Sequence, residues 1–186
     1  RRGIALHCIS AIDNCLWSIK AQAGALPLSV ILGGRRHATM QAYASSLFWE
    51  EPEDNLKAAR RFVDAGYHAA KFGWGPFGED AGRDVEILSA IREGLGPDRD
   101  LMIDPGWCPN GWSGKPRARS RAENVELCER VAPFNPVWIE DFIHPEHVEE
   151  YAYVRERSPV PIAAGEQLST IWDFKRYLEA DCVDVL

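Results

Sequence analysis

Cysteine is sparse and unordered in this sequence. Its five cysteines, Cys8, Cys15, Cys108, Cys128 and Cys182, are odd in number, and no two form a CxxC pair. That spacing excludes a disulfide framework or a zinc knuckle as the organising device, so the thiols read as reduced packing residues. Positive charge is also short: 21 Lys and Arg stand against 28 Asp and Glu, a formal net charge of −7. A nucleic-acid partner would leave a basic footprint, and the only local exception is the run Lys115, Arg117, Arg119 and Arg121. No apolar run approaches the ~18 residues of a membrane span. The opening RRGIALHCISAIDN lacks the apolar core and small-residue cleavage site of a secretory leader. The expected setting is therefore cytoplasmic, with neither a membrane nor a nucleic acid as partner. What is present, 46% hydrophobic and 26% charged residues over 186 positions, suffices for one sizeable core.

Ile9, Ile12, Leu16 and Ile19 fall on one face of a helix that Gly24 and Pro27 close. Beyond Gly33-Gly34 the pattern alternates. Strands are expected over 40–47, 68–73, 100–104, 137–140, 160–164 and 183–186. Helices are expected between them: 53–65 with Leu56, Ala59 and Val63 along one face, 80–93 with Val85, Leu88 and Ile91 inward, 120–131, 147–157, and one opened by Thr170. Ser120-x-x-Glu123 has the form of a capping box, and Thr170-x-x-Asp173 resembles it. Short apolar strands alternating with helices, without hairpin signals, predict a parallel sheet covered on both faces. Six strands and five helices fit an open doubly wound sheet or part of an eight-stranded barrel, which takes ~250 residues when complete. The final DCVDVL reads as a strand lacking a neighbour, so a fragment of a longer protein is expected.

Three consecutive predicted strands end in acids: Asp104 closes LMID, Glu140 closes VWIE, and Glu166 follows PIAAG. At the C-terminal side of a parallel sheet such hard oxygen ligands suit Mg²⁺, which leaves positions for water and substrate. A single acid there more simply caps a helix, but WCPNGWSGKPRAR separates Asp104 from the next one. Lys71 sits near the end of the preceding strand, where in a barrel its ammonium would face the same centre. The segment KFGWGPFG also spells Gly73-x-Gly75-x-x-Gly78, a dinucleotide-loop spacing for which Asp104 could read the ribose. Pro76 lacks an N–H and Phe77 is bulky in that turn, and a nucleotide gives Glu140 and Glu166 no role.

Taken in order, AIDNCLWSIKAQAGALPLSVILGG, KFG, MID, WIED and AAGE resemble the enolase superfamily, in its mandelate racemase and muconate lactonizing enzyme branch. The resemblance covers nearly the whole chain and implies a partial TIM-like (β/α)₇β barrel. In that frame residues 1–37 end the region linking a capping domain to the barrel, and residues 38–186 carry its first six strands. Most of the N-terminal α+β capping domain and the last strands would be missing. The same resemblance implies Mg²⁺ on Asp104, Glu140 and Glu166, with Asp141 orienting them from behind and Lys71 as a catalytic residue. It implies removal of the proton α to a carboxylate through an enediolate, and a homo-oligomer when full length.

The departures choose among reactions. The family often carries Lys-x-Lys at the second strand, with the second lysine as base, whereas here Lys71 is followed by Phe72 and Gly73. The expected reaction is therefore dehydration of an acid sugar to a 2-keto-3-deoxy acid, by a His and Asp pair on strands beyond Leu186. A racemase or epimerase, and a noncatalytic homologue, remain alternatives. His144 and His147 fall in a loop and first helical turn after strand four. Gly106 stands where some relatives carry Asn, and Phe142 where the usual residue is Pro. Trp49, Trp74 and Trp107 follow the first three strands and offer flat rings to the carbon face of the small-molecule carboxylate. The basic run near Lys115 offers a contact for a distal carboxylate.

Overall fold

The computed structural model describes residues 4–106 and 119–186. The chain divides into two compact units, Arg1–Gln41 and Ala42–Leu186. In the first, α1 (Ile4–Ala23) and the short α2 (Leu28–Ile31) are helical. The face of α1 carrying Ile9, Ile12, Leu16 and Ile19 is exposed.

The second unit repeats strand and helix five times: β1 (Ala44–Leu47), α3 (Pro52–Asp64), β2 (Ala69–Gly73), α4 (Ala81–Leu95), β3 (Asp100–Asp104), α5 (Arg121–Val131), β4 (Trp138–Glu140), α6 (Val148–Arg155), β5 (Ile162–Ala163) and α7 (Ile171–Glu179). A single 3₁₀ turn, Ala132–Phe134, follows α5. The strands pair in parallel in the order β1-β2-β3-β4-β5. This is the α/β architecture expected of a barrel segment. The expected sixth strand is reduced to one bridge between Ala163 and Val185.

Register sorts the strand residues into two layers. Lys71 pairs with Met102 and Gly73 with Asp104. Met102 pairs with Trp138, and Glu140 with Ala163. Because successive side chains alternate, all of these share one face. Ala70, Phe72, Leu101, Ile103, Ile139 and Ile162 occupy the other, all fully buried, and belong to one core with Ala59, Ile87, Leu88, Ile91, Leu127 and Tyr151 of the helices. Val85, expected inward, is 41% exposed, and Asp84 is buried in its place. The helix rotates so that 84, 88, 91 and 95 form the inner stripe, the 4-3-4 step of a 3.6-residue period.

Helix starts follow local chemistry. The Asp80 carboxylate accepts the Arg83 N–H at 2.7 Å, and both Ser120 with Glu123 and Thr170 with Asp173 close reciprocal capping boxes. Helices α3 and α4 approach so closely that a Cβ on Gly94 would lie 2.6 Å from Ala59 Cβ and 2.8 Å from the Leu56 carbonyl oxygen. Alanine is the better helix former by about 1 kcal/mol, but the clash includes backbone that cannot step aside. Gly94→Ala should therefore lower unfolding stability by about 1–3 kcal/mol in urea denaturation rather than raise it.

Candidate active site

At the C-terminal ends of β2, β3 and β4, one ammonium bridges two buried carboxylates. The Lys71 Nζ donates to Asp104 Oδ2 at 3.4 Å and, in a short contact, to Glu140 Oε1. The side chains are only 17%, 6% and 12% exposed for Lys71, Asp104 and Glu140. Burial alone would lower the Lys71 pKa, but the Glu140 hydrogen bond and the charges of Glu140 and Asp104 outweigh it and hold the ammonium above its ordinary value. Burial, then the Glu140 charge, pushes the Asp104 carboxyl up to about 6 against the pull of Lys71. Asp104 Oδ1 is buried and has no hydrogen-bond partner.

Asp141 turns the chain just after β4 with a left-handed φ of 47°. Its carboxylate accepts the Gly165 N–H at 3.4 Å, tying the end of β4 to the residue before Glu166. Burial and then the charges of Glu166, Asp104 and Glu140 raise its carboxyl to about 7.

Glu166 itself is exposed and accepts from Gln167 Nε2 at 2.9 Å. It lines a cavity of about 260 Å³ together with Lys71, Trp138, Glu140, Asp141 and Phe174. The expected trio is thus brought to one region, with two members buried and the third turned aside at the rim. Among the described residues, no three His, Cys, Asp or Glu side chains stand ready to hold a metal ion. The donor chemistry nevertheless fits a hard divalent cation: two buried carboxylates share one ammonium, and Asp104 keeps a buried, unpartnered oxygen on a carboxyl whose ionisation is resisted by burial and then by the Glu140 charge.

The glycine loop is explained by packing. A Cβ at Gly75 would lie 2.4 Å from the Phe48 carbonyl oxygen, and one at Gly78 would lie 2.3 Å from an Arg119 guanidinium nitrogen. The Gly78 N–H is given to Asp84 Oδ1 at 2.7 Å. The nucleotide reading is set aside, because the space and N–H a phosphate would need at Gly78 are taken by Arg119 and Asp84.

Of the other expected residues that are described, none lines the Lys71 cavity. Trp49 is half exposed, and Trp74 holds an unusual φ of 58°. Trp107, Lys115 and Arg117 lie outside the described residues. Arg119 donates to the Phe142 carbonyl at 3.3 Å, and burial lowers its pKa. Arg121 sits over the Tyr153 ring, 5.5 Å from its centroid. The rings of His144 and His147 are 4.8 Å apart, and His147 lines a separate cavity of about 720 Å³ with Arg121, Arg176 and several glutamates. Phe142, in the place of the usual proline, is buried against Tyr151.

Sequence reasoning missed two sets of residues. Trp138 is the tryptophan that lines the cavity, and its position two residues before Glu140 was the available signal. The other set is the fourth residue of three helices, α3, α4 and α6. Asn55 of α3 donates to the Trp49 carbonyl at 2.8 Å, Asp84 of α4 accepts from Gly78 and from Arg130 at 2.7 Å, and the Tyr151 hydroxyl of α6 donates to the Ile143 carbonyl at 2.9 Å. Each ties the preceding loop to its helix.

Known proteins resemble this chain in sequence and fold. D-galactarolactone cycloisomerase from Agrobacterium fabrum is 34% identical over 191 residues, matching 100% of this chain and 47% of its own length. D-gluconate dehydratase from Thermoproteus tenax is 31% identical over 188 residues, matching 96% of this chain and 35% of its own. A racemase from Streptomyces coelicolor A3(2), solved with bound magnesium, superposes with a TM-score of 0.83 at 30% identity, covering 98% of this chain and 48% of that one. The chain spans about half the length of such relatives, or less. Residues 54–186 match the family model for enolase C-terminal domain-like proteins, and the chain belongs to that family of the enolase superfamily.

Proposed function

We propose that the intact protein is a Mg²⁺-dependent lyase that removes the α-proton of an acid-sugar carboxylate and expels the β-hydroxyl, yielding a 2-keto-3-deoxy acid. The observation that carries this reading is the pair of buried carboxylates, Asp104 and Glu140, converging on Lys71 beside the unpartnered Asp104 oxygen. With Glu166 turned inward from the rim, the three acids would hold the cation, which when bound would draw charge from the substrate carboxylate and stabilise the enediolate. On the same reading, residues 1–37 end a linker from a capping domain and residues 38–186 supply barrel strands.

The chain's own groups have distinct tasks. Lys71, held in its ammonium form, is a poor proton acceptor and instead places fixed positive charge where the substrate carboxylate gains negative charge. Asp141 holds the backbone from which Glu166 projects. Where the sugar extends beyond the cavity, Trp49, Trp74 and Trp107 would offer apolar surface to its carbon face. The similarity to a lactone cycloisomerase favours a second reading, in which the departing β-oxygen belongs to a ring and is not lost as water.

The deciding assay incubates the intact protein with Mg²⁺ and a panel of mono- and diacid sugars and their lactones, measuring 2-keto acid beside Glu140→Gln. Turnover of open-chain acids that is lost in the variant is expected. Turnover of lactones alone would select the second reading, and silence across the panel would remove the dehydratase.

Two stability measurements follow from the buried charges. Lys71→Met leaves Asp104 and Glu140 uncompensated, so in chelator the variant should lose about 3–5 kcal/mol of unfolding free energy, and saturating Mg²⁺ should return much of it. The second concerns pH. Asp104 and Asp141 titrate near 6 and 7 when folded, above their ordinary 3.8, so the folded state binds more protons between these values. Stability without divalent cations should therefore fall as pH rises from about 4 to 7, and Mg²⁺ should flatten that slope, as read from thermal melts.

A further inference from the structure

We infer that Trp138 is a positioning residue for Glu140: its indole N–H holds one carboxylate oxygen, so that the other is presented to Lys71. The Trp138 Nε1–H donates to Glu140 Oε2 in a short contact, while Lys71 takes Oε1. The two oxygens of one carboxylate are thus claimed from two sides, fixing both its plane and its torsion. Strand alternation makes this possible, since positions 138 and 140 lie on the same face one pleat apart.

Several observations separate this from simple packing. Trp138 lies on the polar face, in register with Met102 and thus in line with Lys71, whereas the core-filling residue of β4 is the neighbouring Ile139. It lines the cavity that Lys71, Glu140 and Glu166 share. The indole nitrogen can donate and cannot accept, so its contact with Glu140 has one sense only. A phenylalanine would fill much of the same volume and lack the donor.

This inference deepens the magnesium reading of the site and rests on it for its effect on cation binding, but the contact itself is measurable without metal. In ¹⁵N-tryptophan-labelled intact protein, one indole N–H resonance should disappear in Trp138→Phe, and the same resonance should shift in Glu140→Gln. By calorimetry, Trp138→Phe should bind Mg²⁺ at least about 10-fold more weakly, while Trp172→Phe, at an exposed position, should bind it unchanged. If Trp138→Phe does not fold, the Glu140→Gln spectrum alone decides, because it needs no change at the indole. The inference is overturned if no indole resonance responds to Glu140→Gln, or if Trp138→Phe binds Mg²⁺ as tightly as the parent. A responsive resonance in a parent protein that binds no Mg²⁺ would uphold the contact and overturn the magnesium reading.

Discussion

Two carboxylates removed from water around a single ammonium form the constraint to which the rest of the second unit answers. Taking a charge out of water costs several kcal/mol, and the attraction within such a cluster offsets this only when the geometry is close and the remaining polar atoms find partners. Here the geometry is close, yet one oxygen of Asp104 is left without a partner, and Asp104 and Asp141 resist ionisation. The arrangement is electrostatically incomplete in a way that a cation of charge two would resolve. On the proposed function, this strain is that of a site kept for chemistry, since a scaffold under selection for stability alone would replace these groups with apolar ones.

What tolerates this strain is the separation of layers in the sheet. Phe72, Ile103, Ile139 and Ile162 face the helices and carry the apolar burial, while Lys71, Asp104 and Glu140 face the other way at adjacent positions along the same strands. The backbone that carries the charges is held by its neighbours one residue away. A parallel sheet buried on its helical side thus provides a rigid edge on which unfavourable charges can be mounted.

Much of this was legible in the sequence because it depends on local pattern. Strand ends at Gly73, Asp104 and Glu140, and the caps at Ser120 and Thr170, follow from short-range periodicity and side-chain chemistry. The misses have physical causes. Val85 lies at the edge of its helical stripe, and a reading by steps of three drifts away from the true period, which buries Asp84. The orientation of Glu166 depends on Gln167 beside it in a loop, where no periodicity constrains a rotamer. Trp138 gave no signal of its own because β4 is apolar on both faces until Glu140 appears. The last strand shrank to a bridge because pairing is a property of neighbours, which a segment's own composition does not report.

The polar residues at the fourth position of α3 and α4, with Tyr151 in α6, have a consequence for how such a protein can change. Each pins one point of the loop ahead of it to a helix that is already fixed by the core. Loop residues elsewhere between strand end and helix can vary in sequence or length without altering strand register, because the anchor absorbs the change. On the proposed function, divergence in substrate preference could then proceed loop by loop on an unchanging frame, with each anchored helix start marking where innovation must stop.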